Sequence, residues 1–153
     1  MNKEESIAFA VKYTEDLISF FGYNVSVAST VEDDVIELDV PSTAINSILI
    51  GRNAETLRSL QFLVSNVLRN KDAALQRVNI DIAGYKKQRS ERIAKQAREW
   101  IEDVRRTGNS HIEYLNAADR RVVHHVASEY SDIRTFSEGE GRDRRITIAQ
   151  AAS

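Results

Sequence analysis

Cysteine is missing from all 153 residues, which removes disulfides, thiolate metal clusters and a cysteine nucleophile and suits a cytosolic protein. Long apolar runs are missing too. Nothing approaches the roughly 20 apolar residues of a membrane-spanning helix, and the start, Met1-Asn2-Lys3-Glu4-Glu5, has neither the basic opening nor the apolar stretch of a secretory signal. The expectation is a cytoplasmic protein with no membrane contact. Catalytic signatures are equally scarce. There is no nucleotide-binding glycine motif of Walker type and no serine nucleophile elbow, and Ser128 follows the histidines without the required turn. His111, His124 and His125 lack HExxH spacing and a cysteine partner, and adjacent histidines on a helix point about 100° apart, so no metal and no other cofactor is expected. A nuclease pairing His124 with Glu129 or Asp119 is the enzymatic alternative. The expectation is that the chain is not an enzyme.

What is present suits one or two compact domains: 42% of the residues are hydrophobic and 29% charged. The net charge of −2 is unevenly spread. Residues 1–83 carry 7 Lys and Arg against 12 Asp and Glu, whereas 84–153 carry 14 against 11. A basic second half permits a polyanion partner, although a solvated surface reads the same way.

Ile7, Val11, Thr14, Leu17 and Phe21 recur at helical spacing and Gly22 follows as a stop, so the chain opens with a helix. Tyr23, Val25 and Val27 alternate as a first strand, Glu32-Asp33-Asp34 makes a turn, and Ile36, Leu38 and Val40 form a second strand that Pro41 ends. Ser42 or Thr43 then caps a short helix. A second helix runs from the Gly51–Ala54 turn to about Arg69, and Val78, Ile80 and Ile82 make a third strand after a linker at Asn70-Lys71-Asp72. At Ala83-Gly84 the period switches from 2 to 3.6, which marks a domain boundary between 1–83 and 84–153. A long helix follows from Tyr85 to Thr107 with an apolar face of Tyr85, Ile93, Ala97, Trp100, Ile101 and Val104, and Gly108 stops it. Its basic first turns, Lys86 and Lys87 among them, read as solubility. A strand is expected over His111 to Leu115, a helix from 117 to about 128 opened by Asn116 and Asp119, and a hairpin of Ile133–Ser137 with Arg145–Ala149 around Gly139-Glu140-Gly141. The fold class is α+β, in two small domains.

Three segments carry chemistry. Gly51-Arg52-Asn53-Ala54 is a tight basic turn between two helices, where little side-chain bulk lets a phosphate backbone approach the amides, Arg52 adds charge and the next helix adds its positive end. Gly51 also reads as a plain helix-to-helix turn. In Arg120-Arg121-Val122-Val123-His124-His125 an Arg and a His four apart share a helical face and can jointly grip a phosphate. Arg120/His124 and Arg121/His125 have the same spacing and flank the valine stripe almost symmetrically, so geometry leaves the register open. Ser137-Glu138-Gly139-Glu140-Gly141 is the third, and it equally reads as an ordinary hairpin turn with Arg134, Arg142, Arg144 and Arg145 as strand-edge charges that block aggregation.

In their order and spacing these motifs resemble a known tandem. Residues 1–83, with Leu49 to Leu57 on the glycine-loop segment, resemble a type II KH domain. Residues 84–149, with Arg120 to His124 and Ser137 to Gly141, resemble the single-stranded nucleic-acid-binding domain named after its Arg-x-x-x-His motif. Asp81 through Gly84-Tyr85 with Arg89 lies on the junction. The whole is similar to the bacterial Jag family, also called KhpB, EloR or SpoIIIJ-associated, in a short form that lacks the N-terminal Jag domain. The resemblance implies a cytoplasmic single-stranded RNA binder, linked to cell elongation and division, that works with a small single-KH partner of KhpA type or with itself. It implies RNA contacts at Gly51, Arg52, Asn53 and Ala54, and in the second domain at Arg120 and His124 with Arg121 and Arg144. One departure is physical: the family's loop closes with glycine where this chain has Ala54, which takes a positive φ less cheaply, while Asn53 tolerates it. The rival reading is a KH-based interaction or dimerisation module with little RNA affinity.

Overall fold

The computed structural model describes residues 1–152; Ser153, the last residue of the expected second domain, lies outside the described residues. Backbone contacts divide the chain into two compact units, Met1–Lys86 and the residues from Lys87 onward, each with its own apolar cluster. The α+β class expected from the sequence is what the structure has. No helix among the described residues is long and apolar enough to cross a membrane.

The first unit opens with α1, Lys3–Ser19, started by a capping box: Asn2 accepts from the Glu5 amide at 2.8 Å while the Glu5 carboxylate accepts from the Asn2 amide at 3.4 Å. Its fully buried stripe is Ser6, Ala10, Thr14 and Ile18, with the expected Ile7, Val11 and Leu17 packed at its flanks and Phe21 beyond the helix, 42% exposed. Small residues take the centre because the helix lies close to its neighbours; the Ser6 hydroxyl donates to Asn2 O at 2.7 Å and accepts from the Leu75 amide at 3.4 Å.

The first strand is not where alternation put it. Strand β1 is Ala28–Glu32, and Tyr23, Val25 and Val27 have no ladder although all three pack on the core. The turn at Asp33-Asp34, both at positive φ, sets Glu32 opposite Val35, so pairing with β2, Val35–Val40, runs back only to Ala28 opposite Asp39. The next amide, Val27 N, instead donates to the Glu15 carboxylate at 3.0 Å. Side-chain burial without strand pairing produced the misleading alternation.

Helix α2, Asn46–Ile50, corrects a second expectation. Its cap residue is Ile45 with no capping side chain, because Thr43 and Ser42 are used one turn earlier: Thr43 Oγ1 accepts from Ile45 N, and Asn46 reaches back to Thr43 N and the Ser42 hydroxyl. A 3-10 turn, Arg52–Ala54, leads into α3, Glu55–Asn70, and then to β3, Arg77–Ile82. Strand β3 pairs parallel with β2, which the crossover through α2 and α3 allows, giving the order β1-β2-β3. Leu57, Leu60, Val64 and Leu68 of α3 pack with Ile36, Leu38, Ile80 and Ile82 of the sheet.

Helix α4, Tyr85–Thr107, has the bounds read from periodicity, and the division between units falls in its first turn. Lys86 is not a solvated charge. Its ammonium donates to Gln61 at 2.8 Å and Asn79 at 2.5 Å, Asn79 donates to Glu37, and burial pushes the Lys86 pKa down against the upward pull of Asp81 and Glu37. In the second unit Ile93, Ala97, Ile101 and Val104 of α4 pack with Val123 and Val126 of α5, Ala117–Ala127, and with Ile133, Ile146 and Ile148 of the sheet. That sheet is β4, His111–Glu113; β6, Arg145–Gln150; and β5, Ile133–Glu138, in that order and antiparallel. Strand β4 ends before the expected Leu115 because the Leu115 carbonyl accepts from the Arg120 guanidinium at 2.6 Å.

Candidate nucleic-acid interface

The turn Gly51–Ala54 is built on three departures from ordinary backbone. Gly51 has φ +76°, Asn53 +53° and Ala54 +59°. Gly51 is needed for a steric reason before any ligand is considered: a Cβ there would collide with the Thr56 hydroxyl and lie 2.9 Å from the Thr56 amide nitrogen. The plain turn reading therefore accounts for Gly51. It does not account for Ala54, the cap position of α3, which sits in the left-handed region without glycine's freedom and offers no capping side chain. The first amides of a 16-residue helix are thereby left without a side-chain cap, and Arg52 and Asn53 beside them are exposed. The Arg58 guanidinium donates to Asn53 O at 2.5 Å and braces the turn from the helix. Glu55 opposes an anion here, being acidic in the first turn, but it is exposed and screened.

In the second unit, Asn116 opens α5 by accepting from the Asp119 amide at 2.9 Å, the helix start expected from the sequence. The structure separates the two candidate registers that follow. Arg120 and His124 are half-buried on the sheet side, whereas Arg121 and His125 are exposed. The His124 ring lies against β5, with Nδ1 2.6 Å from Thr135 Oγ1 and Nε2 3.3 Å from Ser137 Oγ. Burial and, after it, the Arg120 charge push the His124 pKa below the ordinary imidazole value, so at neutral pH the ring donates at one nitrogen and accepts at the other. Its longer bond, to Ser137, is the one a phosphate oxygen can replace. Arg120 spends one terminal nitrogen on Leu115 O and is held with its remaining donors beside His124.

Two motifs that are separate in sequence thus meet at Ser137. Beyond it the β5–β6 connection turns at Gly139, φ +91°, where a Cβ would sit 2.5 Å from Asp143 O. Arg144 folds back and donates to Gly139 O at 2.8 Å, closing this turn; Arg145 reaches Glu138 at 3.5 Å.

One pair escaped the sequence reading. Asp119, 4% exposed, takes a two-point bond from Arg89 of α4, Nε to Oδ1 at 3.1 Å and Nη2 to Oδ2 at 2.6 Å. In the sequence Asp119 reads as a helix-start residue; the signal for more is an acid buried by the valine stripe of α5, which needs a cation. The pair fixes the first turn of α5, and with it the position of Arg120.

Residues 91–150 match the family model of the Arg-x-x-x-His domain. Over 142 residues the chain is 28% identical to "RNA-binding protein KhpB" of Clostridium symbiosum, covering 92% of this chain and 64% of that protein. Over 106 residues it is 28% identical to the protein of that name in Bacillus subtilis (strain 168), covering 67% of this chain and 51% of the relative. Over 101 residues it is 26% identical to that of Streptococcus pneumoniae serotype 2, covering 65% and 31%. The chain therefore spans between about a third and just under two thirds of the length of these relatives. These likenesses support the Jag/KhpB family to which the order of motifs pointed.

Proposed function

We propose that the chain is a cytoplasmic single-stranded RNA-binding protein, not an enzyme, that acts after transcription in cell elongation and division. The observation that carries the RNA reading is the Arg120/His124 face of α5, joined to Ser137 inside the segment that matches the Arg-x-x-x-His domain. The relatives' printed names supply the nucleic acid as RNA. The first unit is a type II KH-like domain in this reading, supported by its order of helix, two antiparallel strands, two helices and a parallel third strand. Its Gly51–Ala54 turn holds a phosphate through Arg52 and the open amides of α3. Each site alone is weak; on one chain the second contact becomes intramolecular and gains through effective concentration.

The test is binding of single-stranded RNA by the parent and by Arg52→Asp with Asn53→Asp, which places negative charge at the positive end of α3. Binding weakens while the circular dichroism spectrum is unchanged. Equal affinity removes the loop from the site.

A second reading, that the first unit joins a small KH protein of KhpA type or a second copy of itself, is favoured by one observation. Phe62 and Leu63 on α3 are 61% and 42% exposed, and Ile48 on α2 is 54% exposed. Sedimentation of the parent against Phe62→Glu measures self-association, and added KH partner tests the mixed pair.

A further inference from the structure

The sheet of the second unit has two faces, and the helices use one. Register places His111, Glu113, Thr135, Ser137, Ile146 and Ile148 on the face that α4 and α5 cover: Ile146 and Ile148 belong to the core cluster, His124 bonds Thr135 and Ser137, and Trp100 stacks on His111 at 5.2 Å. The opposite face carries Ile112, Thr147 and Phe136 in one row across β4, β6 and β5, with Arg134 opposite Ala149 and Glu138 opposite Arg145 in the flanking rows. Thr147 and Ala149, on the central strand, are themselves buried but lie outside the core cluster. Leu115 packs on that cluster, so the alternation continues past β4 and turns Tyr114 to the same side as Ile112. Tyr114 is 64% exposed and Ile112 51%.

The geometry points to this open face as a second single-strand contact, on which unpaired bases stack against Tyr114 and against the Arg134 guanidinium. The inference rests on the RNA-binding reading and adds a site that the Arg-x-x-x-His motif does not include. Three features choose a nucleic acid over a protein as occupant. The apolar residues are separated by a polar centre, Thr147, whereas the core of a protein interface is contiguous and depleted of charge. Arg134 lies over the Phe136 ring at 5.3 Å and donates to Gln150 O at 3.4 Å, which holds a flat cation on the surface of the sheet. Arg145 stands at the other end of the face, so positive charge brackets the rings on both sides; Glu138 offsets part of it through its 3.5 Å pair with Arg145. Aromatic and guanidinium planes on an open sheet take bases without regard to sequence, because every base has a π-face.

The discriminating property is what the contact reads. Arg120 and His124 meet phosphate, so they respond to salt; Tyr114 meets a base, so it responds to the base being there. The experiment titrates the full chain against a fluorescent single-stranded RNA and against the same backbone with abasic sites. Tyr114→Ala is expected to weaken binding of the intact RNA by about tenfold, to leave binding of the abasic strand unchanged, and to leave the slope against salt unchanged. Tyr114→Phe retains parental affinity, and Arg134→Ala weakens binding with a smaller salt slope. Arg120→Ala is the control for the reading beneath. If Arg120→Ala weakens binding and Tyr114→Ala does not, the RNA reading stands and the sheet-face site is overturned. Equal losses of intact and abasic strands in Tyr114→Ala overturn stacking, and a parent that binds neither strand overturns both.

Discussion

Ala54 is the position at which backbone conformation and residue type disagree, and the disagreement has a size. Its φ of +59° and ψ of +26° lie in the left-handed region, where a residue with a Cβ is about 1–2 kcal/mol above its right-handed minimum. Glycine removes that cost but loses about 0.5–1 kcal/mol through the greater freedom of its unfolded chain. At the cap position glycine is no worse than alanine, so no helix propensity opposes the change. Ala54→Gly is expected to stabilise the first unit by about 0.5–1 kcal/mol, which for a domain of this size raises the melting temperature by roughly 2–8 °C. The assay separates the units because the single tryptophan, Trp100, belongs to the second core. Far-ultraviolet circular dichroism follows both units and tryptophan fluorescence the second, so the shift appears in the first signal and not in the second. RNA affinity is retained or raised, since the turn keeps its shape. A melting temperature that falls or stays put refutes the claim that this turn holds Ala54 left-handed, and a fall in RNA affinity refutes the claim that the turn is preorganised for phosphate.

Gly51→Ala is expected to destabilise by about 2 kcal/mol or more in urea titrations, since it adds left-handed strain to a collision with Thr56; a cost near zero contradicts the turn. Arg89→Ala leaves the Asp119 carboxylate buried without its two-point partner and costs about 2–3 kcal/mol, below the usual figure for a fully buried pair because the Arg89 side chain is 39% exposed. Arg120→Ala and His124→Ala each weaken single-strand binding more than Arg121→Ala and His125→Ala, and loss of Arg120 flattens the salt dependence by about one unit of slope; the reverse order removes Arg120/His124 as the site. His124 has a folded pKa below its unfolded value of 6.5, so the unfolded state binds more protons between the two values and stability rises with pH there. The contribution is complete above about 6.5 and is lost as pH falls toward the folded pKa. The urea midpoint of the second unit, followed by Trp100, should therefore drop as pH is lowered from about 7.5 to about 5.5, and His124→Gln should shrink that drop.

The elements that could be read from the chain are those whose burial pattern and backbone pairing coincide. Helix α4 is the clearest case: Ile93, Ala97, Ile101 and Val104 repeat at helical spacing within its 23 residues and are the ones buried. Strand β3 is another, with Val78, Ile80 and Ile82 buried and the residues between them not. The failures occur where the two properties part. Tyr23, Val25 and Val27 bury their side chains without pairing, and Ala28 to Glu32 pair while exposed at every position. Alternation reports burial, and an edge strand with neither face covered gives no alternation to read. Ser42 and Thr43 failed as caps because a side chain suited to capping is equally suited to an earlier turn, and which of the two it serves depends on where Asn46 reaches.

The candidate site divides along the same line. Spacing could bring Arg120 and His124 to one face of α5, but an identical spacing brings Arg121 and His125 to another, and nothing local breaks the tie. The tie is broken from outside the helix. Asp119 must be buried against Arg89, which is 30 residues away in sequence, and this turns α5 so that the residues after Asp119 fall in a fixed order around it. His124, in the last turn of the helix, then meets Thr135 and Ser137 on β5, while His125, about 100° further round, meets solvent. A single long-range ion pair thereby decides which of two equivalent motifs is ordered. The consequence is directional: Arg89→Ala should loosen the Arg120/His124 face and weaken single-strand binding although Arg89 is assigned no contact with RNA, and the weakening should come without loss of salt slope. Loss of slope on removing Arg89 would instead make it a phosphate contact in its own right.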